Sequence, residues 1–595
     1  MQELKSQFKQ IWFVDFEFSV KPGEFPVPIC MVAEEYYSRK RLSLWSDQLK
    51  ACEQAPFDTG KDSLFVAYYS IAEFSCFLQL GWSLPENVID LFVEFRNQTN
   101  GLTLPLGNSL LGALSYFGVD SMEALEKEQM RDLAIRGGPW TAEEKISLLK
   151  YCAKDVEALR KLIIRFSKKI HTLSALNRGR YMKAASVIEC NGVPIDGEMF
   201  KKFSLNWSYL QENIIKEIDA EYGIFDGKTF KTDRWKKWLI EQKISWPELP
   251  SGTLDMREET FREMSKKDKK IAPIYELRAT LAQMRLSDLA VGQDGRNRAS
   301  LSTFRSKTGR NQPSSKSFIF GPAVWLRGLI KPKEGFGIAY IDWTQQEVGI
   351  AAALSNDERM KSAYSSGDCY LTFAKQAGAV PWNATKASHP HIREQFKACV
   401  LAVQYGMGQD SLALRLGQPV SKARELLRLH QEVYKKFWSW SDAALNFYLS
   451  EGHIKTPYGW TLHLPRLSYN KVNPRSVRNF PIQATGAELL RLACCYCVEN
   501  GIRVCAPVHD ALLIEAKLED LDDAVLTTQN AMSVAGEKIL EGFKLRTDVK
   551  IFRYPERYMD ERGSVMWETM VGLLDKPNPP TAYVPIPPME QYLAV

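Results

Sequence analysis

Two aspartates set in apolar, strand-forming runs constrain this chain more than any other feature. Residues 337–348 (GIAYIDWTQQEV) place Asp342 at the end of one run, and residues 504–515 (VCAPVHDALLIE) place Asp510 in a hairpin-like turn between two others. An ionised carboxylate in such surroundings is costly unless a cation or hydrogen bonds compensate it. A shared divalent metal would compensate both.

A helical pattern lies between them. In residues 393–406 (REQFKACVLAVQYG), Arg393, Lys397, Leu401 and Tyr405 recur every fourth position. At about 100° per residue, each step of four drifts by only about 40°, so the four share one slowly winding face. Two cations, an apolar contact and an aromatic ring are what a nucleoside triphosphate needs for its phosphates, sugar and base. Taken alone, the same pattern also fits an amphipathic surface helix with solvated charges.

In order, these segments resemble motifs A, B and C of family A DNA polymerases. Motif A, a strand ending in D-Y-S-Q-I-E, is met by Asp342, Trp343, Thr344, Gln345, Gln346 and Glu347. Motif B, R-x3-K-x3-[FY]-x3-Y-G, is met by Arg393, Lys397, Tyr405 and Gly406, with Leu401 where an aromatic is usual. Motif C, V-H-D-E, is met by Val508, His509 and Asp510, with Ala511 replacing the glutamate. Residues 306–310 (SKTGR) resemble the T-G-R segment that brings Arg310 to the minor groove, and Arg475, Asn479, Pro481, Ile482 and Gln483 resemble a segment contacting template and primer. Gly367 and Asp368 begin a G-x-D-I-H-like element in which Tyr370 replaces the usual histidine.

The resemblance implies phosphoryl transfer with two Mg²⁺ or Mn²⁺ ions held by Asp342 and Asp510. Lys397 and Arg393 would neutralise phosphate charge, and Tyr370 would donate a hydrogen bond without bringing charge. Gln345, Glu347, Leu401 and Tyr405 would line the deoxynucleotide site, with Glu347 against the C2′ face of the sugar and Tyr405 beside the nascent base pair. Arg310, Arg475, Gln483 and His509 would contact DNA. Leu401 bears on discrimination against chain-terminating nucleotides, while Ala511 removes a carboxylate peripheral to the metals. Trp343 is read as packing.

The chain opens with a second acidic pattern. In residues 11–20 (IWFVDFEFSV), Asp15 and Glu17 lie two apart in a strand-like run and so face the same way. Residues 64–82 read as strand, turn and helix with Glu73 at the helix start, and residues 145–162 read as a helix with Tyr151 and Asp155 one turn apart. This order resembles the DEDDy group of 3′–5′ exonucleases. The resemblance implies two metals on Asp15, Glu17, Glu73 and Asp155, with Tyr151 orienting the attacking water. Glu73 stands where aspartate is usual, so an exonuclease unit kept only as structure is a second reading. Asp90 is read as structural.

With 595 residues, 45% hydrophobic and 25% charged, the chain can bury several cores. No long apolar run or signal-peptide core appears, which predicts a cytoplasmic enzyme of a bacterium or of a phage's host, without a membrane partner. The 11 cysteines are scattered, and Cys494 with Cys497 forms a lone C-x2-C, which points to reduced buried thiols. The net charge of +6 is mild, so local basic stretches at residues 228–237, 265–270 and 296–310 say more about nucleic acid.

The expected architecture is multidomain, α/β and α+β: a ribonuclease H-like exonuclease domain (1–165), then a right-hand polymerase. The latter comprises a mainly helical thumb (166–300), palm (301–356), fingers (357–452), a second palm segment (453–574) and a Pro-rich extended tail (575–595). Expected partners are primer–template DNA and dNTPs, with the chain a monomer. No 5′-nuclease domain is expected before the exonuclease unit. The rivals are a single-subunit RNA polymerase, disfavoured by Glu347 and the N-terminal acids, and a nuclease or DNA-binding protein with a decayed polymerase site.

Overall fold

A mixed five-stranded sheet forms first along the chain. In the computed structural model, described for residues 2–119, 124–167, 169–249, 251–283, 286–321, 323–404, 406–465 and 472–575, its strands are β1 (Gln10–Ser19), β2 (Val27–Glu35), β3 (Arg41–Trp45) and β4 (Ser63–Ala67). After α1 (Ile71–Leu80) come β5 (Asn87–Asp90), α2 (Leu91–Thr99), α3 (Ala142–Phe166) and α4 (Thr172–Asn191). The strand order is β3-β2-β1-β4-β5, antiparallel on the β3 side of β1 and parallel on the other. Ile29 to Ala33 of β2 are all buried, as expected of an interior strand covered on both faces. A capping box between Thr141 and Glu144 starts α3.

A second, four-stranded sheet carries the two motif aspartates. Its elements, with their surroundings, are β6 (Phe336–Trp343), α5 (Gln346–Ser355), α6 (Cys369–Gln376), α7 (Pro390–Gln404), α8 (Lys435–Glu451), the hairpin β7 (His453–Lys455) and β8 (Thr461–His463), α9 (Pro474–Glu499), β9 (Arg503–Val508), β10 (Ala511–Lys517), α10 (Leu521–Ile539) and β11 (Thr547–Arg553). The order is β9-β10-β6-β11. β9 and β10 pair up to Val508 opposite Ala511, so His509 and Asp510 form a two-residue turn. His509 takes φ 57°, the left-handed conformation that tight hairpins demand.

The chain divides into two compact units, one of residues 1–192, 300–313 and 337–551 and the other of residues 193–299, 314–336 and 552–595. The segments drawn from sequence group these residues differently, because periodicity reports an element's local face and not its tertiary neighbour. α4, assigned to the thumb from sequence, packs with β5: a Cβ on Gly179 would lie 2.0 Å from the Val88 carbonyl oxygen. Arg178 of α4 makes a buried bidentate pair with Glu94 of α2, both bonds 2.7 Å. Glu189 of the same helix accepts the Leu301 amide at 2.6 Å and so holds the loop leading to Arg310.

The other unit is mainly helical among its described residues. Around Trp235 gather Trp238, stacked at 5.1 Å, and Trp246 and Phe261. Arg278 lies over Phe230 and Phe261. Asp196 pairs with Arg557 at 3.1 Å and Lys331 at 3.7 Å. The Pro-rich end beyond Asp575 lies outside the described residues.

Candidate active sites

The sheet register brings the two motif aspartates together. β6 delivers Asp342 beside the β9–β10 turn, where the Trp343 amide donates to the Asp510 carbonyl at 3.2 Å. Both carboxyls are half-buried, and both sit above the ordinary carboxylate range. Burial is the main cause for each, and for Asp342 the charges of Asp510 and Asp548 add to it. Asp548, on the neighbouring strand β11, was not picked out from sequence. Two acceptor-only oxygen groups that resist ionising side by side suit a hard divalent cation. Among the described residues, no three His, Cys, Asp or Glu side chains are gathered closely enough to hold a metal unaided. Mg²⁺ ordinarily completes its shell with water and substrate phosphate, so a carboxylate pair fits it.

Just beyond Asp342 the backbone turns sharply. Gln345, at the N-cap of α5 three residues past Asp342, takes φ 52°. Thr344 is tied on both sides: its amide donates to the Arg546 carbonyl at 2.9 Å, and its carbonyl accepts from the Tyr364 hydroxyl at 2.9 Å. Glu347, in the first turn of α5, faces Arg310 at 3.7 Å and feels the charge of Asp510. Burial raises its pKa, while Arg310 opposes that rise. Trp343 is 1% exposed, which agrees with a packing role.

The cations of α7 are held by acids in this structure. Arg393 donates to Asp368 at 2.6 Å and to Glu394 at 2.8 Å, and lies over the Tyr370 ring at 5.4 Å. Lys397 pairs with Glu394 at 3.4 Å. Lys397 and Leu401 line a groove of about 430 Å³ with Arg415 and Gln418. Tyr370 is buried on α6, with its hydroxyl well above the ordinary tyrosine range through burial. Tyr405 lies outside the described residues.

α9 braces the remaining segments. Arg491 donates to the Gly309 carbonyl at 2.7 Å and lies over Phe304, fixing the loop that carries Arg310. Buried Glu488 accepts from Thr456 and from the Tyr458 amide in the β7–β8 turn. A Cβ on Gly486 would lie 2.8 Å from Gln346 Oε1, so a residue without a side chain lets α5 come close. At the start of this helix Arg475 is exposed, Gln483 is half-buried further along it, and His509 is exposed on the hairpin turn.

The N-terminal acids lie within one another's electrostatic reach, although no three of them are close enough to hold a metal unaided either. Asp15 and Glu17 lie on β1, Glu73 in the first turn of α1, and Tyr151 and Asp155 on the buried face of α3. Cys152 donates to the Asp15 carbonyl at 3.1 Å, tying α3 to β1. Glu73 is 3% exposed, and its carboxyl sits well above the usual range through burial and the charges of Asp15, Asp90 and Asp155. Its Oε2 has no hydrogen-bond partner. Tyr151 is raised by burial, then by Asp155, Glu17 and Asp15, so it stays a phenol able to donate. Asp90 accepts from the amides of Tyr69, Ser70, Phe92 and Val93 and from the Ser70 hydroxyl, the pattern of a structural carboxylate.

Comparison with known proteins bears on the first of these sites. Residues 278–553, spanning both aspartates and α7, match the model of DNA polymerase family A. The chain carries a family A DNA polymerase domain. It is homologous to bacterial DNA polymerase I: 28% identical over 204 residues to the thermostable enzyme of Thermus aquaticus, covering 33% of this chain and 24% of that one. It is 24% identical over 432 residues to DNA polymerase I of Aquifex aeolicus, covering 66% of this chain and 73% of that one. The chain spans about a quarter of the length of the Thermus relatives it matches. The polymerase fold is shared with the POL domain of Pol1 from M. smegmatis, solved in complex with DNA primer-template and dNTP. That likeness has a TM-score of 0.69 at 15% identity and covers 92% of this chain and 96% of that one. The expected polymerase family and a mixed α/β polymerase fold with a preceding domain are borne out. No helix among the described residues is long and apolar enough to cross a membrane.

Proposed function

We propose that this protein is a template-directed DNA polymerase that adds dNTPs to a primer 3′ end and proofreads with a 3′–5′ exonuclease in the same chain. The observation that carries the reading is the juxtaposition of Asp342 and Asp510 within the family A polymerase domain. Asp342 and Asp510 would hold two Mg²⁺ or Mn²⁺ ions, which when bound activate the primer hydroxyl and offset charge on the triphosphate. Arg393 and Lys397 would exchange Asp368 and Glu394 for triphosphate oxygens, supplying positive charge where it develops in the transition state. Tyr370 would donate a hydrogen bond to the same group. Gln345, Glu347, Leu401 and Tyr405 would line the nucleotide site, with Glu347 excluding a 2′-hydroxyl. Arg310, Arg475, Gln483 and His509 would grip primer and template.

At the N-terminal site, Asp15, Glu17, Glu73 and Asp155 would hold the exonuclease's metals, and the Tyr151 phenol would orient water for attack on the terminal phosphodiester. The buried Oε2 of Glu73 supports a ligand role for this residue. The protein would work as a cytosolic monomer.

A 5′-labelled primer annealed to a longer template, incubated with Mg²⁺ with and without dNTPs, tests both halves. Extension with dNTPs and shortening without them is the expected result. Extension without shortening refutes the proofreading half, and shortening without extension refutes the polymerase half.

A further inference from the structure

A large groove remains that neither active site uses. Its volume is about 1450 Å³, and it is walled by the ends of α2 and α8, the start of α4 and the β7–β8 hairpin. None of the acids of either site lines it. Its walls carry Lys169, His171, His453, Lys455 and His463, against which Glu451 is the one lining carboxylate among the described residues.

The hairpin concentrates this charge. His453 stands directly opposite His463 in the β7–β8 register, with ring centroids 6.4 Å apart, and Lys455 follows on the same strand. Burial lowers the His463 pKa, and the charges of His453, Lys455 and Lys169 lower it further, so four groups from two walls share one field. The hairpin is fixed to α2: the Thr461 amide donates to the Asn97 side chain at 2.8 Å, and His463 Nε2 lies 3.1 Å from the Asn97 carbonyl.

The floor is closed by a neutralised pair: Arg178 is 7% exposed, and its Nε and Nη2 are taken by Glu94. On the rim, the ring of Tyr116 is 47% exposed. A recessed channel in which Lys169 and Lys455 face one carboxylate, Glu451, with the half-exposed Tyr116 on its rim, matches a nucleic acid strand whose bases are unpaired.

We propose that this groove binds a single-stranded segment of nucleic acid, with Lys169 and Lys455 contacting phosphates and a base stacking on Tyr116. The proposal rests on the groove and needs neither active site.

It is tested on the full chain in metal-free buffer, where neither catalytic reaction proceeds, by fluorescence anisotropy with a labelled oligothymidine and with a blunt-ended duplex. Lys169→Glu combined with Lys455→Glu should weaken oligothymidine binding about tenfold or more. The slope of log K against log salt should shrink by about 1.4, two contacts at about 0.7 each. Tyr116→Ala, which leaves the charge untouched, should weaken oligothymidine binding about fivefold or more. Duplex binding and the melting temperature should not change. Unchanged oligothymidine binding in both variants overturns the proposal. So does an equal loss for the duplex, or competition by polyglutamate as effective as that by unlabelled oligothymidine.

Discussion

The amide of Trp343 donates to the carbonyl of Asp510 at 3.2 Å, so the backbone itself sets the spacing of the two carboxylates proposed to hold metal. The side chains are then free to differ in chemistry without disturbing the sheet that carries them.

Asp342→Asn and Asp510→Asn should therefore fold normally and abolish dNTP incorporation while leaving primer shortening intact. Because each removes a half-buried charge from beside another, both should melt at a higher temperature than the parent in metal-free buffer at neutral pH. Calorimetry beside a primer-extension gel reads both effects, and normal extension by either variant would remove that aspartate from the site.

Glu347 faces Arg310 at 3.7 Å and lies within the field of Asp510. If it excludes a 2′-hydroxyl, Glu347→Ala should raise ribonucleotide use relative to deoxyribonucleotide use by about tenfold or more, a discrimination of at least about 1.4 kcal/mol. Single-nucleotide incorporation rates with paired rNTP and dNTP substrates measure the ratio. An unchanged ratio would place sugar selection elsewhere.

For the N-terminal site, Asp15→Ala with Glu17→Ala should abolish shortening of a single strand and spare extension. Tyr151→Phe keeps the ring but loses the donor, and should slow shortening about 10²-fold or more. If Tyr151→Phe degrades a single strand at the parental rate, Tyr151 does not orient water.

Glu189 gives a pH dependence with a definite sign. Burial lifts its carboxyl to about 7, against an ordinary 4.5, while the Leu301 amide opposes the rise. Between those values the folded state holds a proton that the unfolded chain has lost, so stability falls as pH rises from about 4.5 to 7. Glu189→Gln keeps an acceptor for Leu301 and removes the titration, and should flatten that slope by on the order of 2–3 kcal/mol. Urea unfolding across this pH range checks it.

Gly179→Ala should destabilise the chain by about 1–3 kcal/mol or more, since the added carbon would press on the Val88 carbonyl and push α4 off β5. Thermal melting of this variant beside Gly197→Ala, where a Cβ meets nothing, separates crowding from a general glycine effect.

Much of this architecture was legible because its chemistry is local. Asp342 and Asp510 stand out as acids in apolar runs, Tyr151 and Asp155 as a one-turn pair, and Glu73 at the start of a helix that follows a strand. What could not be read depends on contacts between distant segments. Arg393 meets Asp368 across a loop, Asp548 approaches Asp342 from an adjoining strand, and Asn97 caps a hairpin that comes far later in the chain. No periodicity announces such partners. The same reason separates the segment boundaries drawn from sequence from the compact units, since α4 carries no signal that its face belongs on β5.

α9 is buried all round and meets the rest of the protein at three points spread about its axis: Gly486 beneath Gln346, Glu488 under the hairpin turn, and Arg491 against Gly309. A single residue inserted upstream of them within the helix would rotate all three by about 100° at once. Point changes here are correctable one at a time, whereas a change of length is not. This helix should therefore be the stretch of the chain least able to absorb an insertion or deletion.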